Sequence, residues 1–324
     1  MKRKMTIIIF IITFLAGFFY LQNNWMELTK PKIVSEMLSG NLDGFKGDGR
    51  QHDGNESPSK EITDKQTSKD VKQSFIDING KTVQERILVP EGFERIGVEA
   101  GSFGEYLRAM PLKPHGSEVK YYNCETKPGE VYEAVLDLDV GNRDLQQCAD
   151  SIIRLRAEYL YSKGLYDQIH FNFTNGFNAE YTTWMKGNRI KISGNNVSWV
   201  KQGEASNSYE SFRKYLDIVF AYAGTLSLSK EMKSISMEDM MPGDVFMYGN
   251  TPGHCVIVMD MAENKATGEK LFILVQGYMP AQEMHILRNL ANDAGNPWYT
   301  TSFEEKLNTP EWTFSKDQLM HFMK

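Results

Sequence analysis

Cysteine is scarce, with Cys124, Cys148 and Cys255 the only three in 324 residues. So few exclude a disulfide-stapled scaffold, and an odd count leaves at least one thiol unpaired in an oxidising compartment. Positive charge is not in excess either: Lys and Arg number 36 against 42 Asp and Glu, for a net charge of −6. No basic cluster occurs beyond the first residues, so nucleic-acid binding is not expected. No grouping of His, Cys and carboxylates has zinc or calcium spacing, so no metal and no cofactor is expected. Internal repeats are absent.

What is present begins with Lys2, Arg3 and Lys4, followed by an apolar run from Ile7 to Leu21 broken only by Thr13 and Gly17. Charge followed by a short apolar stretch is the layout of an export signal. The run falls short of the about 20 residues of a spanning helix, and no small-x-small cleavage site follows. Residues 1–22 are therefore read as a signal peptide or N-terminal membrane anchor, with retention as an anchor preferred. The cations stay inside, so the rest of the chain is expected across the inner membrane, periplasmic or otherwise extracytoplasmic. Membrane association is expected through this segment alone. Residues 23–75 form a tether, rich in Gly, Asp, Lys, Ser and Asn from about Ser35 to Lys72, with too little apolar surface to offset its ordering entropy. Residues 76–324 carry helical and strand patterns without a long polar break and are read as one domain. Nothing in the sequence indicates the oligomeric state.

Within the domain, Ser102 and Glu105 form a capping box, and Pro111 limits the helix that follows. Residues 131–140 alternate as a half-buried strand does. Asp144 and Gln147 form a second capping box, ahead of a helix whose Leu145, Cys148, Ile152, Leu155 and Tyr159 share a face. Gly164 is its stop. A strand is expected at 169–173 and a helix at about 208–223. Between them lies an irregular segment whose Tyr181, Trp184 and Arg189 could stack on sugars or hold a carboxylate; packing of this segment onto the domain is the competing reading. The stretches CVIVMDM and LFILVQ flank a polar loop and predict a β-hairpin.

Three residue types suited to nucleophilic catalysis follow in order. Cys148 lies near a helix N-terminus, where backbone N–H groups and the dipole lower a thiol pKa. A buried cysteine on an apolar face is the competing reading. His254 opens the first hairpin strand, and imidazole is the usual base for a thiol. Facing residues of an antiparallel hairpin have a constant index sum, so His254 should face a residue between about 276 and 280. Gln276 stands at the edge of that range, where its amide could fix the imidazole tautomer. Gln146 or Gln147, with the Cys148 N–H, could form an oxyanion hole, Gln146 being preferred because Gln147 is needed for capping. His285 is a rival base whose alternation with Met284 and Ile286 suits a strand.

The segment SMEDMMPGDVFMYGNTPGHCVIVMD resembles papain-like amidases and peptidases, especially their bacterial cell-wall branch. There a Pro-Gly-Asp turn, here Pro242, Gly243 and Asp244, enters a strand, and the catalytic histidine opens the next. The resemblance implies an α+β, papain-like domain with a central antiparallel sheet and a helix carrying the nucleophile, and maps the roles onto Cys148, His254 and Gln276. The segment from Ile169 to Ala223 is extra to that pattern. Stretches such as SFGEYLRAMPLKP, DLQQCADSIIRLRAEYLY, GHCVIVMDMA and VQGYMPAQEMHIL also resemble a family of bacterial envelope proteins of unknown function. The expectation is an exported cysteine hydrolase of amide bonds, acting on cell-wall peptides. The alternative is a non-catalytic envelope module binding glycan or peptide through Tyr181, Trp184 and Arg189.

Overall fold

A computed structural model describes residues 74–292 and 295–323; the leader at 1–22 and the tether up to residue 73 lie outside the described residues. The domain is α+β. A nine-stranded antiparallel sheet is built from β1 (Glu94–Arg95), β2 (Tyr132–Val135), β7 (Met232–Ser234), β8 (Val245–Tyr248), β9 (His254–Glu263), β10 (Lys270–Gln276), β11 (His285–Leu287), β12 (Tyr299–Thr300) and β15 (Leu319–Phe322). The strand order is β2-β11-β10-β9-β8-β15-β7, with β1 added at the far end of β9 and β12 at the start of β10. Three two-stranded hairpins stand apart: β3 (His170–Asn172) with β4 (Asn178–Glu180), β5 (Asn188–Ser193) with β6 (Asn196–Lys201), and β13 (Lys306–Asn308) with β14 (Thr313–Ser315). Among the described residues no helix is long and apolar enough to cross a membrane.

Both faces of the central strands are covered, which explains the unbroken apolar run of β9. Cys255, Ile257 and Met259 face a core shared with the helices Cys148–Ser162 and Tyr209–Tyr222. Val256 and Val258 face a second core closed by Leu307, Phe314 and Trp312 of the C-terminal hairpin. Strands buried on both sides read as continuous hydrophobic runs.

The capping at Ser102 is as expected, its Oγ accepting from the Glu105 N–H. The strand expected at 131–140 is shorter than its alternation suggests: β2 ends at Val135, and Leu136 makes only a single bridge to Leu112. The second capping box is shifted by three residues. Gln147 is the N-cap, its N–H donating to the Asp150 carboxylate at 3.1 Å, and Cys148 is the first helical residue. Asp144, expected as the cap, instead accepts from Gln147 Nε2 and from the Ala281 N–H. The helix therefore starts at the thiol, closer to the positive end of the dipole than the sequence pattern indicates.

The stretch between the expected strand at 169–173 and the expected helix at about 208–223 is ordered rather than irregular, forming β4, a short helix at Tyr181–Met185, β5 and β6. Tyr181 is fully buried among Tyr161, Tyr166, Phe212 and Tyr215. Trp184 is buried, and its Nε1 donates to Ser211 Oγ at 3.0 Å. Arg189 lies over the Trp184 ring at 4.2 Å and donates to the carbonyls of Trp184 and Asn188. Of the three residues expected to stack on sugars or hold a carboxylate, Tyr181 and Trp184 are thus in the packing and Arg189 is half-buried. Their large apolar area is spent on packing two hairpins and a short helix against Tyr209–Tyr222.

Candidate active site

The hairpin register brings the candidate groups together through a β-bulge. From Lys270 to Ile273, β10 pairs with Glu263 back to Asp260; beyond the bulge, Leu274 pairs with Val258 and Val275 with Ile257. Met259 is the extra residue. Had the first register continued, Gln276 would stand opposite Ile257, on the face away from His254. A one-residue slip exchanges faces, so the bulge turns Gln276 onto the face of His254. Continued past Val275, the register sets Tyr278 opposite His254, and their rings lie 4.6 Å apart. His254 Nε2 meets Gln276 Oε1 at 3.0 Å.

The thiol arrives from the helix on the other side. After β10 the chain passes so close to the helix start that a Cβ at Gly277 would meet Ser151 Oγ at 2.0 Å and the Gln147 carbonyl at 3.3 Å. Only glycine allows that approach. Across the sheet, Gly243 of the Pro-Gly-Asp turn has a φ of +103°, and a Cβ there would strike Phe103. Asp244 of that turn is buried and holds the Met241 N–H and the His321 ring. The turn thereby fixes where β8 begins, and β8 pairs with His254 through Tyr248.

The hydrogen bonds around Gln276 fix the orientation of its amide. Its Nε2 donates to Glu311 Oε2 at 2.5 Å and approaches His285 Nε2 at 3.2 Å. A carboxylate only accepts, so the nitrogen of the amide must be on that side and the oxygen toward His254. His285 Nδ1 donates to the Glu283 carbonyl at 2.9 Å, leaving Nε2 as the acceptor for Gln276. Gln276 Oε1 accepts from His254 Nε2–H, which leaves His254 Nδ1 as the free base. Cys255 and His254 are the side chains that act most strongly on the Cys148 thiol.

Electrostatics follow from these contacts. The Cys255 hydrogen bond, then His254 and the helix N-terminal N–H of Ala149, hold the Cys148 thiol well below the ordinary thiol range, against its burial. Cys255 is driven the opposite way by desolvation, so it stays protonated and donates. All three cysteines are free. Cys148 keeps 7 % of its surface exposed while Cys255 has none, so a reagent reaches Cys148 first of the two. Cys255→Ala should raise the pH midpoint of Cys148 alkylation, since the largest stabilising contact to the thiolate is gone. An unchanged midpoint would remove Cys255 from the account.

His285 is fully buried, and desolvation pushes its pKa down to about 4. Between about pH 6.5 and 4 the unfolded chain binds a proton here that the folded chain does not, so stability falls as pH falls through that window. The full difference is about 3 kcal/mol. Asp150 and Glu231, both raised by burial, contribute with the opposite sign. The test is therefore the difference between wild type and His285→Gln in chemical unfolding at pH 7 and pH 4.5. The variant should lose less stability than wild type on acidification; equal losses would contradict the buried neutral imidazole.

Cys148, His254 and Gln276 are thus brought together. Gln146 meets other partners: it is 1 % exposed, its Oε1 accepts from Arg154 Nη1 at 3.0 Å, and its Nε2 has no partner. His285 acts as a strand residue beside Gln276 rather than as a base. Sequence reading did not single out Glu311, Lys127, Tyr278 or Trp312. Lys127 Nζ pairs with Glu311 at 2.6 Å, and the Trp312 ring lies 5.3 Å from His254. Their signal is faint, because Lys127 and Glu311 are far apart in sequence and neither sits in a motif. Among the described residues, no cluster of His, Cys and carboxylates could hold a metal ion.

Residues 83–321 match the family described as domain of unknown function 4846. The chain belongs to that family. No curated protein and no solved structure matches it. Membership supplies no activity, so the chemistry rests on the site.

Proposed function

We propose that the domain is a cysteine hydrolase of amide bonds, with a papain-like arrangement of Cys148, His254 and Gln276, acting on cell-wall peptides outside the cytoplasm. The observation that carries this reading is the hydrogen-bond relay from Glu283 through His285 and Gln276 to His254, whose ring in turn acts on the Cys148 thiol. A relay that only packed the core would not require a free ring nitrogen on the thiol and a thiol held low by its neighbours.

In the reaction, the Cys148 thiol gives its proton to His254 Nδ1 as the sulfur attacks the amide carbonyl, and the carbonyl electron pair moves to oxygen. The Cys148 backbone N–H, at the first helical position and free of intrahelical bonding, faces the developing oxyanion. His254 gives its proton to the leaving amine as the C–N bond breaks, leaving a thioester on Cys148. Water, deprotonated by His254, then releases the acid and regenerates the thiol. Gln276 keeps Nε2 protonated and Nδ1 on the sulfur throughout. Gln146 is not used in these steps.

The exported, envelope-associated setting rests on the cationic apolar leader and the polar tether. The non-catalytic alternative draws on Tyr181, Trp184 and Arg189 as a ligand platform, and the burial of Tyr181 and Trp184 weighs against it. Cell-wall peptide fragments incubated with the protein should yield new amino termini with wild type and none with Cys148→Ala. Equal release by both, or release by neither, would refute the proposal.

A further inference from the structure

On the other flank of the residues preceding Cys148 lies a cavity of about 190 Å³ that the hydrolytic relay does not use. Its walls include Asn142, Arg143, Gln146, Arg213, Asp217 and Phe220. Two donors there are buried without an acceptor: Gln146 Nε2 and Arg213 Nη1. Gln146 cannot turn its oxygen to the cavity instead, because Arg154 holds that oxygen, and Arg154 is itself held by Glu158 and Tyr209. The local carboxylates are already engaged. Asp217 pairs with Arg143, and Asp139 stands 3.7 Å from Arg213 Nη2. An unpaired amide N–H and an unpaired guanidinium N–H, both out of solvent, are costly unless something accepts from them.

We propose that this cavity is a carboxylate-binding site, the carboxylate accepting from Gln146 Nε2 and Arg213 Nη1. The chemistry selects the class. A guanidinium presenting a spare N–H calls for an anion, whereas a dianion such as phosphate would be opposed by Asp217 and Asp139 nearby. A small monoanion satisfies both donors. The site is independent of the hydrolytic reading, because none of its donors takes part in the relay.

The test uses the intact protein and two probes of nearly the same shape, acetate and acetamide, followed by the side-chain amide NMR resonances of glutamine. Acetate should shift the Gln146 amide saturably, and acetamide should not. Arg213→Gln should bind acetate about tenfold more weakly, the effect of losing one charge-assisted hydrogen bond. Cys148→Ala should bind acetate as wild type does, so the cavity can be judged even where hydrolysis fails. No acetate-dependent shift, the sign of a cavity filled by water alone, would overturn the proposal. So would equal response to acetate and acetamide, preference for phosphate, or unchanged affinity in Arg213→Gln. The comparison of the two probes needs no variant to fold.

Discussion

Replacing Asp260 with alanine should lower the stability of the domain by about 3–5 kcal/mol, the usual penalty for removing one partner of a buried ion pair. Asp260 is fully buried, with Arg95 on one carboxylate oxygen at 2.7 Å and Arg108 on the other. Arg108 is itself almost wholly buried, and its charge would be left without a counter-ion. Asp260 also accepts from the Met261 N–H at 2.8 Å, immediately after the bulged Met259. Its carboxylate therefore anchors the irregularity that turns Gln276 toward His254. Urea unfolding should show a lower midpoint. Under conditions where the variant is still folded, Cys148 should also react more slowly with iodoacetamide than in wild type. A loss below about 1 kcal/mol, the level of an exposed pair, would show that the two guanidinium groups find other partners and that the bulge does not depend on Asp260.

Replacing His254 with alanine should reduce amide turnover by about 10²–10⁴-fold, the range for removing a general base. The ring also accounts for part of the depressed pKa of the Cys148 thiol, so the variant should lose thiolate as well as proton transfer. Gln276→Ala should fall between wild type and His254→Ala, because the ring remains but its tautomer and orientation are no longer imposed. His254 packs against Tyr278, Trp312 and Phe314. The unfolding midpoint should therefore be measured alongside activity, and turnover that survives in a folded His254→Ala protein would remove it from the mechanism.

Much of the frame was legible because local signals agreed with tertiary structure. The hairpin of β9 and β10, the helix stop at Gly164 and the helix expected at about 208–223 all rest on short-range patterns, and each is present. The position of Gln276 was only partly legible. Counting across the loop leaves His254 facing a residue between about 276 and 280, but the bulge that sets which face Gln276 occupies adjoins Asp260, whose partners Arg95 and Arg108 lie outside the hairpin. The start of the Cys148 helix was misplaced because Asp144 is a good cap by type, yet its oxygen is taken by the backbone of Ala281 from a distant turn. Between the two readings left open for Tyr181 and Trp184, the sequence could not choose for a similar reason. An aromatic residue in a polar, Gly-containing stretch looks exposed until the helix that covers it, Tyr209–Tyr222, is in place.

The central claim is that the Cys148 thiol is activated by the groups around it. The most direct measurement is the pH dependence of its alkylation by iodoacetamide in the intact protein, followed peptide by peptide, with exposed Cys124 as the internal comparison. The account predicts that Cys148 remains reactive well below the ordinary thiol value of about 8.5. It should lose reactivity only as pH falls through its depressed pKa, and His254→Ala should move that midpoint upward. A Cys148 midpoint at or above the ordinary thiol value, unmoved by His254→Ala, would contradict it.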